Sequence, residues 1–472
     1  MPLRHGSAAS AAALRSLRRA TALVRSSVPL LVGGLVLPNA LALAFGILAG
    51  VPARTSAIAL YAALALLGGR LPGWALALLA LPVIVLDLAL AVGRMFFLDT
   101  DALLHLIDAG TLATLLATPA YAAGAAAVVG LALVYLAVLV QAGPAMRRGS
   151  RPVFAAAVAA LLVGDGVVNG STAYDFGALA SVGQPFHSGS LASGFDALAD
   201  QSRPPHRVLM VMVESLGVLR DAGQNGILTA PFDDPALRRL YTVTTGTSAF
   251  FGATASGEMR ELCRTYRSHR QVFTQAFTQV FTGQTSAEDD PTCLPKRLAA
   301  RGYRTVSVHG YHAGFYDRAQ WYPLAGFRKS LFGETLAPRF ARACGGPFPG
   351  PCDTDVAAVV EAELAAPGPA FVYWLTLNSH VPVPPGAATP RHDCGRPGSP
   401  FADREVCAMV EIWQDVFAAV SRIALAHPGT EILLVGDHAP PLWRRAARDA
   451  FEPGRVPWIR LAPLPVATAA LP

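Results

Sequence analysis

The feature that most restricts what this chain can become is a set of long apolar runs confined to its first 170 or so residues. A membrane-spanning helix needs about 20 consecutive, mainly apolar residues. Runs that approach this length lie near 28–51, 55–69, 73–93, 119–142 and 152–170. They predict an α-helical membrane domain of about five spans over residues 28–170, preceded by a basic N-terminus at 1–27. Composition agrees, because the 472 residues are 53% hydrophobic and only 15% charged, with a mean hydropathy of +0.40. Beyond about Gly170 an ordinary globular mixture takes over, which we divide into a linker at 171–205 and a domain at 206–472. Between the third and fourth runs, Thr100 to Pro119 mixes leucines with polar residues, a pattern suited to a helix lying on the membrane rather than crossing it.

The net charge of +6 is no nucleic-acid signal, since many arginines flank the apolar runs. Arg4, Arg15, Arg18, Arg19, Arg25, Arg70, Arg147, Arg148 and Arg151 share one side of the proposed topology, whereas Arg54 and Arg94 fall on the other. The richer side is the cytoplasm, and an odd number of spans leaves residues after about 170 outside the inner (cytoplasmic) membrane, on its periplasmic or extracytoplasmic face. Cysteine usage gives the same answer from other residues. Cys263, Cys293, Cys344, Cys352, Cys394 and Cys407 all lie in the outer part, an even set that suggests disulfides in an oxidising compartment. Sequential pairing closes the shortest loops, although spacing does not choose among the pairings. The long first run, followed by more of the same, is a poor signal peptide. Asp87 and Asp165 sit inside spans, where function and helix packing are both open.

The outer part alternates β-rich runs at Arg207–Val213, Arg304–Val308, Phe371–Leu377, Glu431–Val435 and Val456–Leu461 with helical stretches such as Asp355–Ala365 and Glu405–Ala426. This is the pattern of an α/β domain with a largely parallel sheet, in which sites form beyond the carboxyl ends of strands. Polar residues stand at those ends: Glu214 after VLMVMV, His309 after VSV, His380 in LTLNSH, and Asp437 and His438 after ILLVG. Singly, each reads as a helix cap, packing or surface. Together, two carboxylates and a histidine suit one divalent ion, with Mn²⁺, Zn²⁺ and Mg²⁺ all compatible. The segment TGTSAFFGATASGEMRELC supplies hydroxyls ahead of a helical stretch. Thr254 is the preferred nucleophile, since a metal would ease its deprotonation and a helix N-terminus would favour the phosphate it attacks. Ser256 and Thr247 compete with it, and a Ser/Thr-rich helix cap is the bland alternative.

Taken in order, VMVESLG, GATASGEMREL, HGYHAGFYDR, LTLNSH and GDHAPP resemble the motifs of the lipoteichoic acid synthase-like branch of the sulfatase and alkaline phosphatase superfamily. The membrane half followed by an outer catalytic domain resembles that branch too. The resemblance implies that Glu214, Thr254, Asp437 and His438 bind one metal, typically manganese, and that Thr254 is the catalytic nucleophile. It further implies that His309, Tyr316, Arg318 and His380 hold the substrate phosphate, a task for which the arginine fork is suited. His312 has no assigned role. The implied reaction is a two-step transfer in which a membrane phospholipid donates its phosphoglycerol or phosphoethanolamine head group, through a phosphothreonine, to a glycan acceptor. Two departures stand out: G-A-T-A-S-G-E lacks the lysine and acidic residue that many relatives place beside the threonine, and the chain ends soon after VPWIRLAP, so a longer C-terminal extension is not expected. No C/S-x-P-x-R sequence accompanies Thr254, which argues against a sulfatase. A phosphodiesterase using water, or a non-catalytic lipid or glycan sensor, are the alternative readings.

Overall fold

The computed structural model describes residues 18, 21–22, 25–46, 51–68, 70–98, 103, 109–169, 183–273 and 293–465. The chain forms two compact units: one comprises Met1–Met95 and Pro119–Ala173, the other Phe96–Thr118 and Tyr174–Pro472. The segment between the third and fourth apolar runs thus groups with the outer part of the chain.

In the first unit the five apolar runs become five helices: α1 (Arg25–Ala44), α2 (Thr55–Leu66), α3 (Gly73–Met95), α5 (Pro119–Met146) and α6 (Arg151–Asn169), with α4 (Ala109–Leu116) belonging to the second unit. Four of them are long and apolar enough to cross a membrane. The exception, α2, rises only about 18 Å against a hydrocarbon core of about 30 Å. It is instead well buried by its neighbours, through Ala57, Ile58, Tyr61, Ala62, Leu64 and Ala65. Tyr61 meets Tyr135 of α5 edge-on at 5.7 Å, while Leu78, Val85, Leu133, Val163 and Val167 are exposed apolar side chains, the surface that a helix apolar enough to cross a membrane presents.

The charges within the apolar runs pair with one another. Arg54 ion-pairs with Asp87, with Nε donating to Oδ1 at 2.9 Å, and also donates to Asn39 Oδ1 at 3.1 Å. Its backbone N–H donates to Asp165 Oδ2 at 2.8 Å, and Asn169 donates to Asp165 Oδ1 at 2.9 Å. Asp87 and Asp165 therefore hold helices together around Arg54, because an unpaired charge buried among apolar helices would be costly.

The second unit is built on a seven-stranded sheet of β1 (Arg207–Val213), β2 (Tyr241–Ala249), β3 (Arg304–His309), β4 (Lys329–Leu331), β5 (Ala370–Leu375), β6 (Thr430–Gly436) and β7 (Arg455–Pro463), in the order β2-β7-β6-β1-β5-β3-β4. The pairs β6-β1, β1-β5, β5-β3 and β3-β4 are parallel. The run at Val456–Leu461 differs from a parallel strand: β7 lies antiparallel to β6, and β2 is antiparallel to β7. Two reversals restore direction, so β2 ends at the same edge as β1 and β6, and the segment following Ala249 emerges there. Central β1 is buried on both faces, as expected for a parallel interior strand. Leu209, Val211 and Val213 face α9 (Asp353–Ala365) and α10 (Arg404–Ala426). Val208, Met210 and Met212 face α7 (Thr254–Cys263) and α8 (Arg318–Ala325). This alternation follows from the two-residue period of a strand.

The six cysteines pair sequentially, Cys263–Cys293, Cys344–Cys352 and Cys394–Cys407, closing separations of 30, 8 and 13 residues. Part of the stretch assigned as a linker is packed into the unit. Phe195 and Leu198 are buried, and the Gly189 and Ser190 N–H groups donate to Glu261 of α7 at 3.0 and 2.8 Å.

Candidate active site

Three strand ends and one helix start converge. β1 delivers Glu214, β6 delivers Asp437 and His438, and the chain leaving β2 turns at Gly252 into α7, whose first residue is Thr254. Gly252 has φ +77°, and a Cβ there would stand 2.4 Å from Ser256 Oγ, so a glycine is required at this turn. One helical turn later, a Cβ on Gly257 would lie 3.0 Å from the Asp437 Cα, which lets α7 sit directly on the β6 end.

Glu214, Asp437 and His438 each offer one ligand atom, and these atoms lie within 4.8 Å of one another. The Thr254 hydroxyl lies 3.3 Å from Glu214 Oε2 and 3.4 Å from His438 Nε2. All four side chains are buried. Ser215, in a left-handed conformation at φ +55°, aims its N–H at Asp437 Oδ1 (2.7 Å) and its hydroxyl at Glu214 Oε1 (2.8 Å). Such a conformation costs a non-glycine residue about 1–2 kcal/mol. The Glu214 carbonyl is gripped by Ser379 Oγ at 2.6 Å and Trp413 Nε1 at 3.2 Å. Arg260 of α7 donates to the carbonyls of Gly436 and Asp437 at 2.8 and 3.1 Å, fixing the backbone that carries the ligands.

This donor set fits a divalent cation. Asp437 Oδ2 is buried without a hydrogen-bond partner among the described residues, although His438 Nε2 stands 3.4 Å away. Burial and the neighbouring Glu214 carboxylate push the Asp437 carboxyl up to about 7. A buried orphan acceptor in an anionic cluster is a cost that a positive charge removes. The Nδ1 of His438 lies 2.9 Å from the Ala439 carbonyl. A carbonyl only accepts, so Nδ1 carries the proton and Nε2 presents its lone pair to the cluster.

His309 and His380 follow the same rule, with Nδ1 3.1 Å from the Leu375 carbonyl and 2.8 Å from the Val381 carbonyl. Burial depresses both, His380 to about 4 and His309 well below its usual range, the latter helped by Arg318. Both are therefore neutral near pH 7, with Nε2 free to accept, and either could donate to an anion only after taking up a proton. The LTLNSH segment is held by Asp353, which accepts from the N–H groups of Leu377 and Asn378 at 3.0 and 2.8 Å. Phe348 meets the His380 ring edge-on at 4.6 Å.

The other residues implied as phosphate ligands form a second group. The Arg318 guanidinium is buried and pairs with Glu258 of α7 at 3.0 Å. Burial opposes its charge, and the Glu258 carboxylate more than offsets that. Tyr322 and Tyr373 also donate to Glu258 Oε1, the latter at 3.1 Å. Arg318 lies 5.3 Å from the centre of the Tyr316 ring. His312 is exposed beside Glu334. Among the competing hydroxyls, Thr247 lies within β2 and bonds Arg455, and Ser256 sits on the Gly252 turn.

Sequence reasoning missed Glu258, Arg260, Ser215 and Asp353. The charged letters of GEMREL resemble a solvated helix face, yet all of α7 except Ser256 is buried. The signal was available in the cysteine that ends the segment and the glycines that bring it close.

A strand-end carboxylate pair with a histidine, close to a hydroxyl on the first turn of a helix, brings together groups that could hold a divalent ion and serve as a nucleophile. Residues 206–400 match the family model described as sulfatase. No curated protein matches the chain as a sequence. Among solved structures it is similar to the lipoteichoic acid synthase LtaP from Listeria monocytogenes, at 16% identity over 57% of this chain and 71% of that one, with a TM-score of 0.38. It is also similar to the Streptococcus pyogenes phosphoglycerol transferase GacH in complex with sn-glycerol-1-phosphate, at 14% identity over 57% and 73%, with a TM-score of 0.39. A third is the C-terminal periplasmic domain of EptC from Escherichia coli, at 14% identity over 55% and 73%, with a TM-score of 0.35.

Proposed function

We propose that the protein transfers a head-group phosphate, phosphoglycerol or phosphoethanolamine, from a membrane phospholipid to a periplasmic or cell-surface glycan through a phosphothreonine at Thr254. The observation that carries this reading is the Thr254 hydroxyl lying 3.3 Å from Glu214 and 3.4 Å from His438 in a buried anionic cluster. Glu214, Asp437, His438 and the Thr254 hydroxyl would hold one divalent ion, Mn²⁺ first, with Zn²⁺ and Mg²⁺ as alternatives. When bound, the ion supplies Lewis-acid activation of a hydroxyl and neutralises phosphate charge.

Thr254 Oγ attacks phosphorus, the phosphorus–oxygen bond to the lipid glycerol breaks, and diacylglycerol leaves with a proton. The acceptor hydroxyl then attacks the phosphothreonine, and Thr254 regains its proton as its own bond to phosphorus breaks. Neutral His309 and His380 are suited to take the acceptor's proton and, once protonated, to donate to the phosphate alongside Arg318. The first-turn N–H groups of α7 add a positive field at the attacked phosphate. The apolar helices anchor the chain in the inner membrane, with the catalytic unit on the extracytoplasmic face, so the donor lipid and the nucleophile meet at one surface.

Full-length protein incubated with labelled phosphatidylglycerol or phosphatidylethanolamine should yield a Thr254 peptide whose added mass reports the head group. Thr254→Ala should release no diacylglycerol and form no adduct. An adduct on Ser256 or Thr247, or wild-type diacylglycerol release by Thr254→Ala, would overturn the assignment.

A further inference from the structure

Phe97 follows the end of α3 by two residues, yet it belongs to the same compact unit as the sheet. It is 3% exposed. Its ring lies 5.7 Å from the His438 ring at an interplanar angle of 47°, and meets Phe250 perpendicularly at 5.2 Å. Ala439 and Val456 complete this small apolar cluster. The Phe97 carbonyl stands 3.9 Å from where a Cβ on Gly252 would be, against the turn that leads into Thr254. The backbone of Phe97 is left-handed, at φ +56°, a conformation phenylalanine rarely adopts and one that persists only where surrounding contacts enforce it.

His438 needs what this ring provides. The Ala439 carbonyl fixes which nitrogen of His438 carries the proton, but one hydrogen bond leaves the imidazole free to tilt about it. An aromatic ring against the imidazole removes that freedom and keeps water away from the cluster, which strengthens attraction between the ligands and a cation.

We infer that Phe97 is a positioning residue for the metal centre: supplied by the segment that follows the third apolar helix, it holds His438 with Nε2 directed at the ion. The inference rests on the reading of Glu214, Asp437 and His438 as metal ligands.

The test uses full-length protein in detergent, stripped with a chelator and titrated with Mn²⁺ or Zn²⁺ alone. Wild type should bind one ion, Phe97→Ala should bind it about tenfold or more weakly, and Phe97→Leu, which keeps an apolar cover, should stay within about threefold of wild type. With Co²⁺ as a spectroscopic probe, Phe97→Ala should shift the visible absorption bands, as a general loss of stability would not. Should Phe97→Ala fail to fold, Phe97→Gly carries the test, because glycine accepts the left-handed backbone while removing the ring. Wild-type affinity and an unchanged Co²⁺ spectrum in the ring-deleted variant would overturn the role of Phe97. Absence of binding in wild type would instead overturn the metal-site reading on which it rests.

Discussion

Among the described residues, the second unit buries charge in two ways, and the helical unit shows only one of them. In the membrane unit, Arg54 is matched by Asp87 and also donates to Asn39, while both Asp165 oxygens accept hydrogen bonds, from the Arg54 backbone N–H and from Asn169. In the catalytic unit, Glu258 is matched by Arg318 in the same manner. The cluster at the ends of β1 and β6 is not matched: two carboxylates face each other, one oxygen is left without a hydrogen bond, and the nearest imidazole is held to present a lone pair. Satisfied groups fasten helices, whereas the unsatisfied cluster offers a place that a cation would suit.

The largest effect should come from Asp437→Asn. Activity should fall by about 10³-fold or more, and bound metal should disappear on elemental analysis. In the metal-free state this variant should melt no lower than wild type, since it removes a carboxylate facing Glu214. A large loss of stability there would erase the distinction between the two kinds of cluster.

Glu258→Gln should do the reverse and act first on stability. It strands a buried guanidinium, so denaturant unfolding should show a loss of about 3–5 kcal/mol. An unchanged midpoint would mean that Arg318 finds another partner. In the membrane unit, Arg54→Gln should cost about 2–3 kcal/mol, the scale of hydrogen bonds to charged groups. Thermal unfolding in detergent measures it, with metal content unaffected.

The smallest effect concerns pH. His380 titrates at about 4 in the folded metal-free protein, below the usual 6.5. Between those values the unfolded chain binds a proton that the native state does not, so stability is full above pH 6.5 and declines on acidification toward 4. From pH 6.5 to 5.5 the His380 contribution should fall by about 1 kcal/mol, while Asp437, raised to about 7, slopes the other way. The His380 term is therefore read as the difference in melting-temperature slope between wild type and His380→Gln across that interval.

Much of this was legible in the sequence. The apolar runs located five helices, and shorter continuous apolar stretches located the interior strands of the sheet, because complete burial leaves little but apolar side chains there. β2 escaped notice because Tyr-Thr-Val-Thr-Thr-Gly-Thr-Ser is half-exposed and lies at an edge, where polar residues are tolerated. The direction of β7 was not legible because a strand's composition carries no arrow. In the site, ligand positions could be read from strand ends, but tautomers, the Arg260 grip on the Asp437 backbone and the packing of Phe97 come from tertiary contacts between residues far apart in the chain. No local pattern encodes those.

The assignment of Phe96–Thr118 to the same unit as the sheet has a consequence for dividing the chain. A fragment beginning at residue 183 would contain every strand together with Glu214, Thr254, Asp437 and His438, yet Phe97 would stay joined to α3. Such a fragment would lack the ring that packs 5.7 Å from His438. If Phe97 acts as inferred, the isolated fragment should hold a cation less tightly than the full chain.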